Sequence, residues 1–111
     1  MKNDKFTFFN EVEFQDLGGG VRRKILAYGE DLMQVYLEFE EGAEGKMHSH
    51  PHTQLTHILE GEFEFTIGGE TKIVNKGDSV YMPSNVEHGV TCLEEGKLVD
   101  VFNPMRQDFL K

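Results

Sequence analysis

The chain has one cysteine, no tryptophan, three prolines and only 11 basic residues against 20 acidic ones, and each shortage removes a class of answer. A lone Cys92 can form neither an intrachain disulfide nor a cysteine-based zinc cage, and it reads as a small buried apolar residue rather than a nucleophile. A formal charge of -9 repels phosphate backbones and anionic lipid surfaces, so neither nucleic acid nor a membrane is an expected partner. A small anionic ligand is compatible with that charge, because a metal or a well-placed arginine reverses the field inside a pocket. No apolar run approaches the roughly 20 residues that span a bilayer. The opening "MKNDKFTFFN" scatters charges where a secretion signal would have its apolar stretch, which leaves the cytoplasm as the expected compartment.

Helical periodicity is missing too. With 111 residues and 38% hydrophobic content, the chain is sized for one domain around one core: an N-terminal arm over about 1–20 and a barrel core over about 21–104. From Arg22 onward, short runs alternate with period two: "RRKILAY", "LMQVYLEF", "TQLTHILE", "GEFEFTIG", "ETKIVN", "DSVYMP", "HGVTCLE" and "KLVDVFNP". Turn signals separate them, among them "EEGAEG", "NKGD", "PSN" and "EEGK", and Gly68-Gly69 supplies the positive φ angles of a tight hairpin. The expectation is an all-β protein, an antiparallel sandwich or barrel of about eight strands. The aromatic "FTFFNEVEF" lies before this pattern and is free to pack over a sheet edge or across a dimer interface. Together with outward-facing Leu55, His57 and Leu59, it favours a homodimer.

Three of the five histidines fall within "HSHPH". Imidazoles repel once protonated and are costly to bury without partners, so such a cluster implies something to hold. On a strand, His48 and His50 project to one side, with Gln54 of the same parity. His88 comes much later, opening another strand. Two strands' imidazoles plus a side-chain oxygen form a mixed nitrogen and oxygen set suited to one divalent Zn, Ni, Mn or Fe, whereas taken singly each residue reads as a solvated loop histidine. His52, beyond Pro51, is expected to be exposed, and His57 to face outward.

The stretch from Gly42 through His48, His50 and Gln54 to Gly61, and the stretch from Gly77 through Pro83 and Asn85 to His88 and Cys92, resemble the two cupin motifs. Gln54 stands where cupins usually carry Glu, Asn85 replaces a Gly, and Cys92 an Asn. The resemblance implies a jelly-roll β-barrel with a metal in its interior. A neutral Gln54 beside neutral histidines leaves the metal's charge undiminished, which strengthens Lewis acidity and disfavours oxidation to a higher state.

"KLVDVFNPMRQDFL" sets Asp100 within an apolar strand, on the face of Phe102. An unpaired carboxylate there implies a partner or a function unless the strand is an edge with the Asp facing water. Arg106 reads as a solvated charge unless it folds back. From "RRKILAY" to "MRQDFL" the chain is similar to the small cupins of pectin degradation, the KdgF family, in which a Gln ligand is usual. That resemblance implies linearisation of 4,5-unsaturated monouronates to 4-deoxy-5-keto uronates, with catalytic roles for Asp100, Phe102 and Arg106. Asp100 would take the anomeric hydroxyl proton, Phe102 would wall the ring, and Arg106 would offer a forked donor to a small anionic sugar acid. Gln34, Tyr36 and Met82 are expected to contour the pocket. A non-catalytic sugar-binding cupin and a metal-dependent dioxygenase are the competing readings.

Overall fold

Two long strands organise the molecule. The computed structural model describes residues 5–110, so residues 1–4 of the expected arm and Lys111 lie outside it. The strands are β1 (Gln15–Gly18), β2 (Val21–Tyr28), β3 (Met33–Phe39), β4 (Glu44–His48), β5 (Thr53–Ile67), β6 (Glu70–Asn75), β7 (Ser79–Met82) and β8 (His88–Asn103). All pairings are antiparallel, and β5 and β8 pair with each other along nearly their whole length. Each half of this ladder has its own outer neighbour. β7 and β6 flank successive halves of β5, while β4 and β3 flank successive halves of β8, with β2 and β1 beyond β3. The sheet is jelly-roll-like without closing into a continuous ring.

The all-β expectation holds, but the strands divide differently. "TQLTHILE" and "GEFEFTIG" are one strand, as are "HGVTCLE" and "KLVDVFNP". The register slips between Ile58 and Phe63 instead of turning. Gly61, at φ 86°, makes this bulge workable: a Cβ there would lie 2.5 Å from the Glu95 carbonyl oxygen and 2.6 Å from Gly96 Cα, closer than any side chain tolerates. β4 begins inside "EEGAEG", read above as a turn, because Gly45 fits beneath Val90 of β8. β1 lies within the expected arm and pairs with β2. The Gly68-Gly69 hairpin is present, with φ of 56° and 85°.

Alternation decides the core. Along β5, Gln54, Thr56 and Ile58 are buried while Leu55 and His57 are exposed. Met33, Val35, Phe39, Phe63, Leu98 and Phe102 pack inside, with Phe39 edge-on to Phe63 at 5.4 Å. Cys92 is buried, and burial raises its thiol pKa. On the opposite face of β2 and β3 the aromatic N-terminal segment folds back. Phe9 meets Tyr36 at 4.9 Å, and buried Lys24 donates to the Phe9 carbonyl at 2.8 Å with its ammonium over the Phe9 ring. Phe6 and Phe8 remain 76% and 61% exposed.

Candidate metal and active site

His48 ends β4 opposite His88, the first residue of β8. His50 lies in neither strand, so strand parity is not what aligns it with His48. It sits on the loop after β4, which the turn between β7 and β8 holds in place: the Asn85 N–H donates to the His50 carbonyl at 2.8 Å, and Ser84 Oγ donates to the Pro51 carbonyl at 2.6 Å. Asn85 has φ 65°, a left-handed conformation that Asn accepts more readily than most non-glycine residues. The turn therefore keeps its shape without a glycine at this position. The result is a cluster whose three candidate donor nitrogens lie within 4.8 Å of one another.

The tautomers follow from the backbone. His48, His50 and His88 each place Nδ1 against a main-chain carbonyl two residues away, those of Lys46, His52 and Val86, at 2.7, 3.0 and 2.9 Å. A carbonyl only accepts, so each Nδ1 carries the hydrogen and each Nε2 presents a lone pair. His88 Nε2 is buried with no protein partner. His50 Nε2 faces Gln54 Oε1 at 3.0 Å. Two acceptors at that distance repel unless a cation lies between them or a proton is shared. Burial lowers the pKa of both His50 and His88, favouring neutral imidazoles, the form that binds metal. The donor set thus fits a divalent cation.

Gln54 is oriented from behind. Its amide nitrogen donates to Thr56 Oγ1 at 3.1 Å, and the Thr56 hydroxyl donates to Asp100 Oδ1 at 2.5 Å. An ionised Asp100 can only accept, so Thr56 must accept from Gln54, which turns the amide oxygen toward the histidines. Asp100 lies on β8 between β3 and β5, not on an edge. The residue keeps a partial opening to the cavity, but its carboxyl is deep in the protein, and desolvation raises its pKa to about 6 against the hydrogen bonds from Thr56 and Gln54.

These groups share one cavity of about 300 Å³, whose wall includes His48, Gln54, His88, Asp100, Phe102 and Arg106. That is the lower end of the range for small-molecule pockets. Arg106 does fold back: its Nε and Nη2 donate to the two carboxylate oxygens of Asp108 at 3.1 and 2.9 Å, and its guanidinium lies 4.3 Å from the Phe109 ring centroid. Met82 lines the cavity, whereas Gln34 is exposed and Tyr36 faces the N-terminal segment. His57 is exposed as expected and reaches Ser79 Oγ. His52 is not exposed. The bend after Pro51 lays its half-buried ring 5.4 Å from His50 and 6.4 Å from Phe102. Sequence reasoning missed Thr56 and Arg23, although both share parity with inward neighbours, Gln54 and Ile58 in one case and Val21 and Ile25 in the other.

A jelly-roll sheet holding three converging imidazoles and an amide oxygen defines a cupin. The cupin domain model matches residues 35–102. The chain is 43% identical over 103 residues to the pectin degradation protein KdgF of Dickeya dadantii, covering 91% of this chain and 94% of that one. Its fold superposes on an RmlC-like cupin from Shewanella frigidimarina at TM-score 0.93, with 40% identity and 96% of each chain covered. KdgF from a Halomonas species superposes at 0.91, with 35% identity, covering 96% of this chain and 99% of that one. The chain belongs to the cupin family, in the branch that contains KdgF.

Proposed function

We propose that this protein linearises 4,5-unsaturated monouronates from pectin or alginate breakdown, using one divalent metal held by His48, His50, Gln54 and His88. The relationship to a pectin degradation protein supports the substrate class. The observation that carries the reaction is Asp100, a deep carboxylate with a pKa near 6 opening into the same cavity as the histidine cluster. A binding module has little need of such a group, while ring opening needs a base there.

The chemistry is an isomerisation. Asp100 accepts the anomeric hydroxyl proton, the hemiacetal carbon becomes an aldehyde, and its bond to the ring oxygen breaks. The electrons remain on the ring oxygen as an enolate of the adjacent alkene, and a proton delivered to the alkene carbon completes the 5-keto acid. No oxidant takes part. A divalent cation, when bound, supplies Lewis acidity for the developing enolate oxygen. Phe102, at 3% exposure, gives the ring a flat wall, and Arg106, paired with Asp108, lines the cavity beside it. Proton NMR of the purified protein with an unsaturated galacturonate tests the proposal. Signals of the open-chain 4-deoxy-5-keto product should grow faster than in buffer, and no acceleration would leave only a binding role.

We also propose a homodimer, supported by exposed Phe6 and Phe8 and by Leu55 and Tyr81. These last two are cross-strand partners on the outer face, at 50% and 57% exposure.

A further inference from the structure

Arg23 is the charged residue on the inward face of β2, between Val21 and Ile25, and it lines the same cavity as Asp100, His48 and His88. Its guanidinium lies 4.0 Å from the Phe109 ring centroid, and Arg106 stands 4.3 Å from that same centroid. Two cations therefore contact one aromatic ring of the cavity wall. They are not equally available. Arg106 spends Nε and Nη2 on both oxygens of Asp108. Arg23 spends only Nε, on the neutral Gln15 Oε1 at 2.8 Å, and among the described residues no carboxylate forms an ion pair with it. Of the acidic side chains on the cavity wall, Asp100 is tied to Thr56 and Glu44 is exposed at the rim.

We propose that Arg23 is the residue that anchors the ligand's carboxylate, its free Nη groups forming the fork that Arg106 has already committed to Asp108. The inference rests on the uronate reading and adds the recognition element to it: the site selects sugar acids over neutral sugars through β2. A guanidinium held against an aromatic ring, with Nε fixed by Gln15, has less freedom to lose when a carboxylate docks. The acidic surface of the chain makes a local cation necessary for such a ligand to enter.

The test uses metal-loaded protein and two probes that are not turned over, D-galacturonate and D-galactose, titrated by calorimetry. Arg23→Gln should weaken galacturonate roughly 10- to 100-fold, the range for a lost hydrogen bond to a charged group, and leave galactose unchanged. Arg23→Lys should fall between, having the charge without the fork. With the unsaturated uronate, KM should rise more than kcat falls. Unchanged galacturonate affinity in Arg23→Gln overturns the proposal, and so does a parallel loss of galactose, which would mean that Arg23 only shapes the cavity. If Arg23→Gln does not fold, a selective loss of galacturonate in Arg23→Lys sustains the proposal and wild-type affinity removes it. Galacturonate binding through Arg23 without turnover would retain this inference and remove the enzymatic one. Turnover with Arg23→Gln indistinguishable from wild type would do the reverse.

Discussion

Replacing Asp100 by Asn should move activity and stability in opposite directions. The carboxyl has a pKa of about 6 in the folded protein against about 3.9 for an unperturbed Asp. The folded state therefore binds the Asp100 proton more tightly than the unfolded chain does. Stability from this group is fully present below about pH 4, declines as pH rises, and is lost above about pH 6, where the buried charge must be accommodated. Two pKa units correspond to about 3 kcal/mol, an upper figure given the residue's partial opening to the cavity. Asn keeps the volume and can still accept the Thr56 hydroxyl. Chelated Asp100→Asn protein should thus be more stable than chelated wild type at pH 8 by about 1–3 kcal/mol in urea melts, with the gap narrowing toward pH 4. Turnover of the metal-loaded variant should fall by about 10² to 10⁴, the usual cost of a lost general base, while its metal content is retained. An Asn variant less stable than wild type at pH 8 would show that Asp100 is a structural carboxylate. A variant that keeps its turnover would place the base elsewhere.

Thr56→Val removes the hydroxyl that links Asp100 to Gln54, so metal affinity should fall by about 10- to 100-fold in competition with a chromogenic chelator, and Thr56→Ser should restore it. The same variant withdraws a hydrogen bond that holds Asp100 ionised, and the acid limb of the pH–rate profile should move to higher pH. Gly61→Ala forces a Cβ into the Glu95 carbonyl at a left-handed φ and should destabilise by at least about 2 kcal/mol in thermal or urea melts, leaving the metal ligands untouched. Light scattering at micromolar concentration should report about twice the 12.7 kDa chain mass, with Tyr81→Glu shifting it toward the monomer. A wild-type monomer would set the dimer proposal aside.

The β elements were legible because their inward and outward positions alternate so regularly: Gln54, Thr56 and Ile58 against Leu55 and His57 in β5. Strand ends were not. Glu60–Glu62 and Glu94–Gly96 carry the glycines and charges of turns, yet the long ladder absorbs them as a bulge, because the partner strand continues opposite. The candidate ligands emerged from spacing, but the reason they converge did not. His50 is positioned by the Asn85 and Ser84 contacts from another turn, and no local pattern encodes a pairing across 33 residues. Asp100 was visible as a charge among apolar neighbours. Its link through Thr56 was hidden, because Thr is an ordinary β residue whose role depends on what lies across the ladder. Arg23 was hidden by Arg22 and Lys24, exposed and buried respectively, since a run of three basic residues does not say which one faces inward.

Under the proposed function, a divalent cation on the histidine cluster and Asp100 act together to open an unsaturated uronate ring. Decay of the alkene absorbance of purified 4,5-unsaturated galacturonate tests it most directly, followed with untagged protein as isolated, after chelation and after reloading with a single divalent metal. Decay should run well above the spontaneous rate, fall to that rate on chelation and recover on reloading. Decay at the spontaneous rate in every state, or decay indifferent to the chelator, would contradict it.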